Sequence, residues 1–524
     1  MAVTNRARGA EKTPAWAARG KLRLAFVEGG PSVAAVWVFC GAWNNDPAVL
    51  YKNCTRYEPE LIDELVSRNI NAVVLTWFSG LPQESERTQR EVIARLMPLL
   101  KKKKIRAIAE IQCRTAWKAD PPGDMAFAQM GCVDVDLADD AWRRTILDSA
   151  LQAIDAGFDG FFLIACESAF VPTFRQALGE KHPETPFLIF GNGLPSSSIN
   201  YACNLKLRES GQSPGSLFNI GELKLLFEAS GRDKTTLSSL RFGELPPAQA
   251  ALATAEILAC GAVCADNAAH VPTLAFAVEH PDAFCGDPIN SVGVLVNDYD
   301  DNALADGIVG TAKLLKALAR ANVQHDVIPV ADLSNFELRK YRVLTAAHLQ
   351  RLSRETADAL RLFATEHAGT IVAGTQTGRA DRPDWLKSFS GLGREEAALG
   401  KGRIIHYAHA PGDLGEHDRA PNEALVSAVI ADLLKYGENP LECSAPKGVV
   451  CVLWGKGTRR WVHVLNYTGA AADATISLPG CGGRKLAVHS PDQTPPEMTV
   501  IESGSARAAF QLKNLTTYAV VEVV

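Results

Sequence analysis

Long apolar runs are missing from this chain. No segment approaches the ~20 apolar residues that a membrane-spanning helix needs, so no membrane partner is expected. An excess of basic charge is missing too. The 54 Lys and Arg against 59 Asp and Glu leave a net charge of −5. No overall field therefore draws the chain to nucleic acid or to an anionic surface. The one dense basic run, Lys101-Lys102-Lys103-Lys104, falls between a helical pattern and a strand, where cations suit the negative end of a helix dipole. Paired cysteine spacing is absent. The 12 cysteines are scattered, and Cys260 and Cys264 form the closest pair. That reads as buried free thiols and argues against a disulfide framework or a zinc site. The first 20 residues are polar, rich in Ala and Arg, and contain no apolar h-region. The expected location is cytoplasmic.

What is present is alternation. A chain of 524 residues is too long for one hydrophobic core. Over its first half, apolar β-rich runs alternate with helical patterns. The spacing predicts strands at Ala34–Cys40, Ala72–Trp77, Ile105–Ile111, Gly160–Cys166, Phe187–Phe190, Ser216–Ile220, Thr235–Leu240 and Ala262–Ala265. Leu22–Val27 reads either as an extra strand before these or as the true first one. Helical patterns include Glu58–Arg68, Glu84–Lys102, Asp140–Ala156 and Pro247–Cys260. Eight strands alternating with helices over about 250 residues is the size of a (β/α)8 TIM barrel. The expected barrel covers 1–285.

From 286 to 440 the βαβ grammar continues over a shorter span, beginning with Ser291-Val292-Gly293-Val294-Leu295-Val296. It fits an open, doubly wound, flavodoxin-like α/β domain. From 441 to 524, short strands follow one another at roughly 10-residue spacing, separated by Gly, Pro, Asn and Asp. That predicts a small all-β sandwich.

Two strand-like stretches in the barrel are followed by a carboxylate. Gly160–Cys166 runs into Glu167, and Thr235–Leu240 leads through Arg241-Phe242-Gly243 to Glu244. Side chains at the C-terminal ends of barrel strands converge on one mouth. Two carboxyl groups there are what hydrolysis of a glycosidic bond requires. Competing acids are Glu222, expected after strand six, Asp266 after strand eight, Glu110 inside strand three, and Glu28. Asp159 reads as a turn-shaping residue at the opposite, N-terminal end of the fourth strand, and Glu256 as a structural residue of a helix. Sugar rings present apolar C–H faces that stack on indole. Trp43, Trp77 and Trp117, expected at consecutive strand ends, are therefore candidate platforms. Arg114 and Asn192 are candidate hydrogen-bond partners of sugar hydroxyls. A metal hydrolase would want His-x-His after the first strand. The only histidines in or near the barrel, His182, His270 and His280, are not so placed. Glycine-containing turns lack phosphate-binding spacing. No metal and no cofactor is expected.

The order of the three pieces resembles the trimeric bacterial β-galactosidases and the hypothetical glycosyl hydrolases related to them. Specific stretches carry the resemblance. Ala156-Gly157-Phe158-Asp159-Gly160-Phe161-Phe162 is similar to their fourth-strand motif. Phe190-Gly191-Asn192-Gly193 is similar to their fifth-strand end, and Leu252–Ala262 to the helix before the eighth strand. The resemblance implies a retaining glycoside hydrolase acting on a β-linked carbohydrate, with Glu167 as acid/base and Glu244 as nucleophile. It also implies a homo-oligomer, a trimer, contacting through the middle domain. One departure stands out: Cys166 occupies the place where those enzymes carry the Asn of an Asn-Glu pair. The middle domain also resembles class I glutamine amidotransferases, which need a cysteine nucleophile on a strand-to-helix elbow. Between Pro288 and Cys443 there is no cysteine, so amidotransfer is excluded.

Overall fold

The computed structural model describes residues 15–17, 21–27, 57–80, 83–117, 132–164, 166, 170–182, 188–192, 201–204, 220, 223–224, 235–238, 246–264, 270–296, 305–330, 333, 338–347, 349, 351–374, 377–378, 382–390, 393–408, 423–504 and 506–524. They fall into two compact units. The first comprises Met1–Ser210, Ser230–Glu244 and Gly261–Glu279. The second comprises Gly211–Ala229, Leu245–Cys260 and His280–Val524.

The first unit is built on an eight-stranded sheet. Its strands are β1 (Leu24–Val27), β2 (Ala72–Phe78), β3 (Arg106–Gln112), β6 (Gly160–Ile164), β7 (Leu188–Asn192), β8 (Tyr201–Asn204), β9 (Thr235–Ser238) and β10 (Val263–Cys264), in that order. Every pairing in it is parallel. Strands buried on both faces must be apolar throughout. The run Gly-Phe-Phe-Leu-Ile in β6 satisfies that, and Ala-Val-Val-Leu-Thr-Trp-Phe in β2 does so apart from Thr76. Side chains of the first and last strands meet in one cluster: Leu24 and Phe26, Ala72 and Val74, Ile108, Phe162 and Val263. The sheet is thus wound around a shared interior, as in a TIM barrel. A short hairpin, β4 (Thr115–Trp117) with β5 (Cys132–Asp134), follows β3 outside this sheet.

Six predicted strands match within two residues, and the other two fall wholly or almost wholly outside the described residues. Ala34–Cys40 lies outside the described residues, and the first position in the sheet belongs to Leu24–Val27. The sixth position belongs to Tyr201–Asn204, whereas 216–219 lie outside the described residues and Ile220 is helical. Tyr-Ala-Cys-Asn is short and follows a serine run, so its sequence reads as a turn. Outer helices cover the sheet. In the helix Asp140–Asp155, the Asp139 side chain accepts from the backbone N–H groups of Ala141 and Trp142, satisfying donors otherwise orphaned at the helix start. The helix Gln83–Lys102 ends on Lys101 and Lys102, as the dipole favours. Asp159, at the foot of β6, pairs with Arg106 at 2.7 Å and accepts from the N–H of Ala107. It ties together the N-terminal ends of two strands.

The second unit holds three further sheets. A six-stranded one has the order β13 (His325–Pro329), β12 (Val292–Val296), β14 (Val343–Thr345), β15 (Thr370–Gly374), β17 (Gly402–Tyr407), β16 (Arg394–Leu399). All pairs are parallel except the edge strand β16. Two antiparallel sheets form a sandwich. One runs β11 (Asp287–Pro288), β19 (Val449–Lys456), β20 (Arg459–Asn466), β25 (Tyr518–Val523), β22 (Leu486–His489). The other runs β18 (Glu442–Ser444), β21 (Ala472–Pro479), β24 (Arg507–Leu515), β23 (Glu497–Glu502). Buried amides join the α/β layer to the sandwich. Gln324 accepts from the N–H of Leu453 and donates to the carbonyl of Cys451, and Asn322 accepts from the N–H of Cys451.

His463 is buried within this unit. One ring nitrogen meets the Tyr518 hydroxyl at 2.6 Å and the other the Ala283 carbonyl at 3.0 Å. A carbonyl accepts only, so the ring donates there and accepts from Tyr518, which fits the neutral form. Burial holds its pKa down to about 4. Burial, with help from Lys224, holds that of His325 down to about 3. An unfolded histidine titrates near ~6.5. Below that pH the unfolded chain binds protons that the folded chain refuses, so stability falls as pH drops from about 6.5. Stability measured by denaturant between pH 7 and 5 should fall by on the order of 2 kcal/mol per buried histidine. The slope should flatten in His463→Gln.

Candidate active site

The inner face of the parallel sheet changes character along its strands. Side chains two residues apart on a strand share a face. On β2 the inner row runs Ala72, Val74, Thr76, and on β3 it runs Ile108, Glu110, Gln112. The lower members belong to the apolar interior cluster. The upper members are polar. Thr76 and Glu110 are register partners across the two strands, and the Thr76 hydroxyl donates to the Glu110 carboxyl at 3.3 Å. Gln112 is register partner to Ile164 of β6, which itself packs against the interior cluster. The switch from apolar to polar occurs toward the C-terminal strand ends, where chemistry resides in barrels of this kind.

β3 and β6 continue into two thiols. The Cys113 N–H donates to the Ile164 carbonyl at 3.0 Å. A hydrogen bond with the Cys166 thiol, together with burial, holds the Cys113 thiol well above the ordinary range. A thiol held neutral is a poor nucleophile, and Cys113 is fully buried. Trp142, from the outer helix, donates its indole N–H to the Cys113 carbonyl at 2.7 Å and fixes the end of β3 from behind. Arg114 follows, half-buried, and its carbonyl accepts from Val135 at 2.7 Å.

The structure treats the residues singled out by sequence unequally. Glu167, Glu244, Trp43, Glu222 and Asp266 lie outside the described residues, as does Glu28. Asn192 is the last residue of β7 and Trp117 lies in β4, but their side chains lie outside the description. Trp43 and Glu222 do not directly follow the first and sixth strands as expected from sequence, because those strands end at Val27 and Asn204. Glu28 instead follows the first strand immediately. Glu256 is fully buried in the helix Pro247–Ala259. Gln112 and Thr76 escaped the sequence reading, although the alternation that put Glu110 on the inner face extends to Gln112.

Trp77 is a further correction. It was expected to line the mouth, yet it is buried on the opposite face of β2 from Thr76. Its indole N–H donates to the Ser149 carbonyl at 2.8 Å, its ring meets Phe158 edge-on, and Arg90 lies over it at 5.0 Å. Ser149 and Arg90 belong to the outer helices, so the ring is mortar between sheet and helices. Trp77→Phe should cost about 1 kcal/mol through the lost hydrogen bond, and Trp77→Ala about 3–5 kcal/mol. Denaturant titration checks both, and neither loss should depend on added sugar.

Among the described residues, no helix is long and apolar enough to cross a membrane. No group of three or more His, Cys, Asp or Glu among them is arranged to hold a metal ion. No family model matches the chain, and no curated protein matches it in sequence. Solved structures do match along nearly its whole length. An α-L-fucosidase (isoenzyme 2) from Paenibacillus thiaminolyticus superposes with a TM-score of 0.63 at 12% identity, over 96% of this chain and 99% of that one. A β-galactosidase from Bacillus circulans sp. alkalophilus gives 0.61 at 11%, over 97% and 100%. A GH42 β-galactosidase from G. stearothermophilus gives 0.63 at 10%, over 95% and 98%. At these identities the likeness shows the fold alone, shared with these glycosidases over 95–97% of this chain.

Proposed function

We propose that the chain is a glycoside hydrolase that cleaves β-linked sugars with retention, through Glu167 and Glu244. One observation carries the reading. β6 is fourth and β9 seventh in the parallel sheet, and these are the strands after which the two glutamates come in sequence. Their ladder positions are those that carry acid/base and nucleophile in retaining enzymes on this fold. The full-length likeness to glycosidases supports the same reading. Glu167 protonates the leaving oxygen while Glu244 attacks the anomeric carbon. Glu167, now ionised, then takes a proton from the water that releases the sugar. The scheme needs one carboxyl protonated and its partner charged near neutral pH, which mutual repulsion at about 5 Å provides. Arg114 and Asn192 hydrogen-bond ring hydroxyls, and Trp43 or Trp117 stacks on the sugar face. Glu222 and Asp266 are further substrate contacts.

The chain is proposed to divide at 285 and 440, with the amidotransferase-like middle domain joining three copies. Light scattering should then give three chains per particle. A second reading is a carbohydrate-binding or assembly protein that has lost hydrolysis. The observation favouring it is Cys166 in the position of the expected asparagine, with its thiol engaged by Cys113.

A chromogenic screen spanning β-galactosides, other β-glycosides and α-L-fucosides tests the two. Glu167→Gln and Glu244→Gln should each lower kcat by roughly 10³-fold or more. Azide should restore turnover in Glu244→Gly with inverted product. Near wild-type rates in both glutamine variants would defeat the assignment, and binding without any turnover would favour the second reading.

A further inference from the structure

The polar layer on the inner face of β3 contains one group that the protein leaves unsatisfied. Gln112 is 3% exposed, and its side-chain oxygen is sealed from solvent with no hydrogen-bond donor. Thr76 and Glu110, one step lower on the same face, answer each other. An amide carbonyl buried without a donor costs about 1–3 kcal/mol, while an apolar residue of the same shape would cost nothing. Stability alone therefore favours methionine or leucine at this position. Native structures leave few such groups, and each calls for a reason.

Position supplies the reason. Ile108, two steps below Glu110, is core, and Ile164, across from Gln112, closes that core from β6. Gln112 is thus the last inner-face residue of β3, directly above the apolar plug and beside the strand that runs on to Cys166 and, in sequence, Glu167. An orphaned acceptor there wants an O–H or N–H donor brought by a ligand. We propose that Gln112 is a specificity-determining residue that accepts a hydrogen bond from one hydroxyl of the bound sugar. The inference rests on the glycosidase reading for the kind of ligand. The amide discriminates because a sugar lacking that hydroxyl leaves the oxygen orphaned in the complex as well.

The test uses full-length protein, calorimetry, and two series of probes: methyl β-D-galactopyranoside and methyl α-L-fucopyranoside, each with its monodeoxy analogues. Wild type should lose roughly ten- to a hundredfold in affinity when one particular hydroxyl is removed. Gln112→Met should bind the parent glycoside weaker by a similar factor and be indifferent to that deletion. Its Tm should equal or exceed the wild-type value, because the orphaned oxygen is gone. If Gln112→Met holds every member of both series as wild type does, the inference is overturned. A Tm lowered by several degrees would mark Gln112 as structural and overturn it equally. The hydrolase reading stands or falls separately, on turnover by the Glu167 and Glu244 variants.

Discussion

Parallel strands hold their register through evenly spaced backbone hydrogen bonds, and in this chain that register aligns the inner rows of neighbouring strands. Val74, Ile108, Phe162 and Val263 fill the interior. One step above Val74 and Ile108, Thr76 meets Glu110 with Phe162 of β6 at the same level, and one step further Gln112 stands beside Ile164. Polar groups at that level are tolerable only if paired with one another or with something that enters. The apolar plug beneath excludes water from below and strengthens any electrostatic contact made above it. On β2 and β3 the apolar row stops at Val74 and Ile108, and polar side chains follow.

The outer layer keeps this arrangement rigid. Trp77 and Trp142 use their indole N–H groups on carbonyls of Ser149 and Cys113, tying β2 and β3 to the helix Asp140–Asp155. Both bonds run between the sheet and its covering helix. They hold both strands from the outer face of the sheet. The same economy appears in the second unit, where Gln324 and Asn322 satisfy the backbone of β19 with side-chain amides. There the buried amides are answered, whereas the oxygen of Gln112, like several other buried polar atoms such as Ser79 Oγ and Thr345 Oγ1, is not.

Much of this was legible in the sequence because buried parallel strands have a plain signature. Gly160–Ile164 is a continuous apolar run after a glycine turn, and Gly157 adopts a positive φ of 98° there, which favours glycine. The eighth strand was findable from the apolar helix before it. The sixth strand was hidden because Tyr201–Asn204 carries a cysteine and an asparagine and contributes only four residues. The first strand was displaced because two apolar runs competed and only pairing with Ala72–Leu75 decides between them. Trp77 misled because period 2 says which residues share a face but not which face is inside. That is settled by Ser149 and Phe158, contacts 72 and 81 residues away in sequence. Gln112 carried a signal, its parity with Glu110, but an orphaned oxygen exists only in three dimensions.

The central claim is that Glu244, following the seventh strand, attacks the anomeric carbon. Incubating the full chain with a 2-deoxy-2-fluoro glycosyl fluoride, whose glycosyl-enzyme intermediate turns over slowly, and mapping the adduct by peptide mass spectrometry tests it directly. The account predicts a single added glycosyl group on the peptide carrying Glu244. Attachment to a peptide carrying Glu222, Asp266 or Glu110, with Glu244 unmodified, would contradict it.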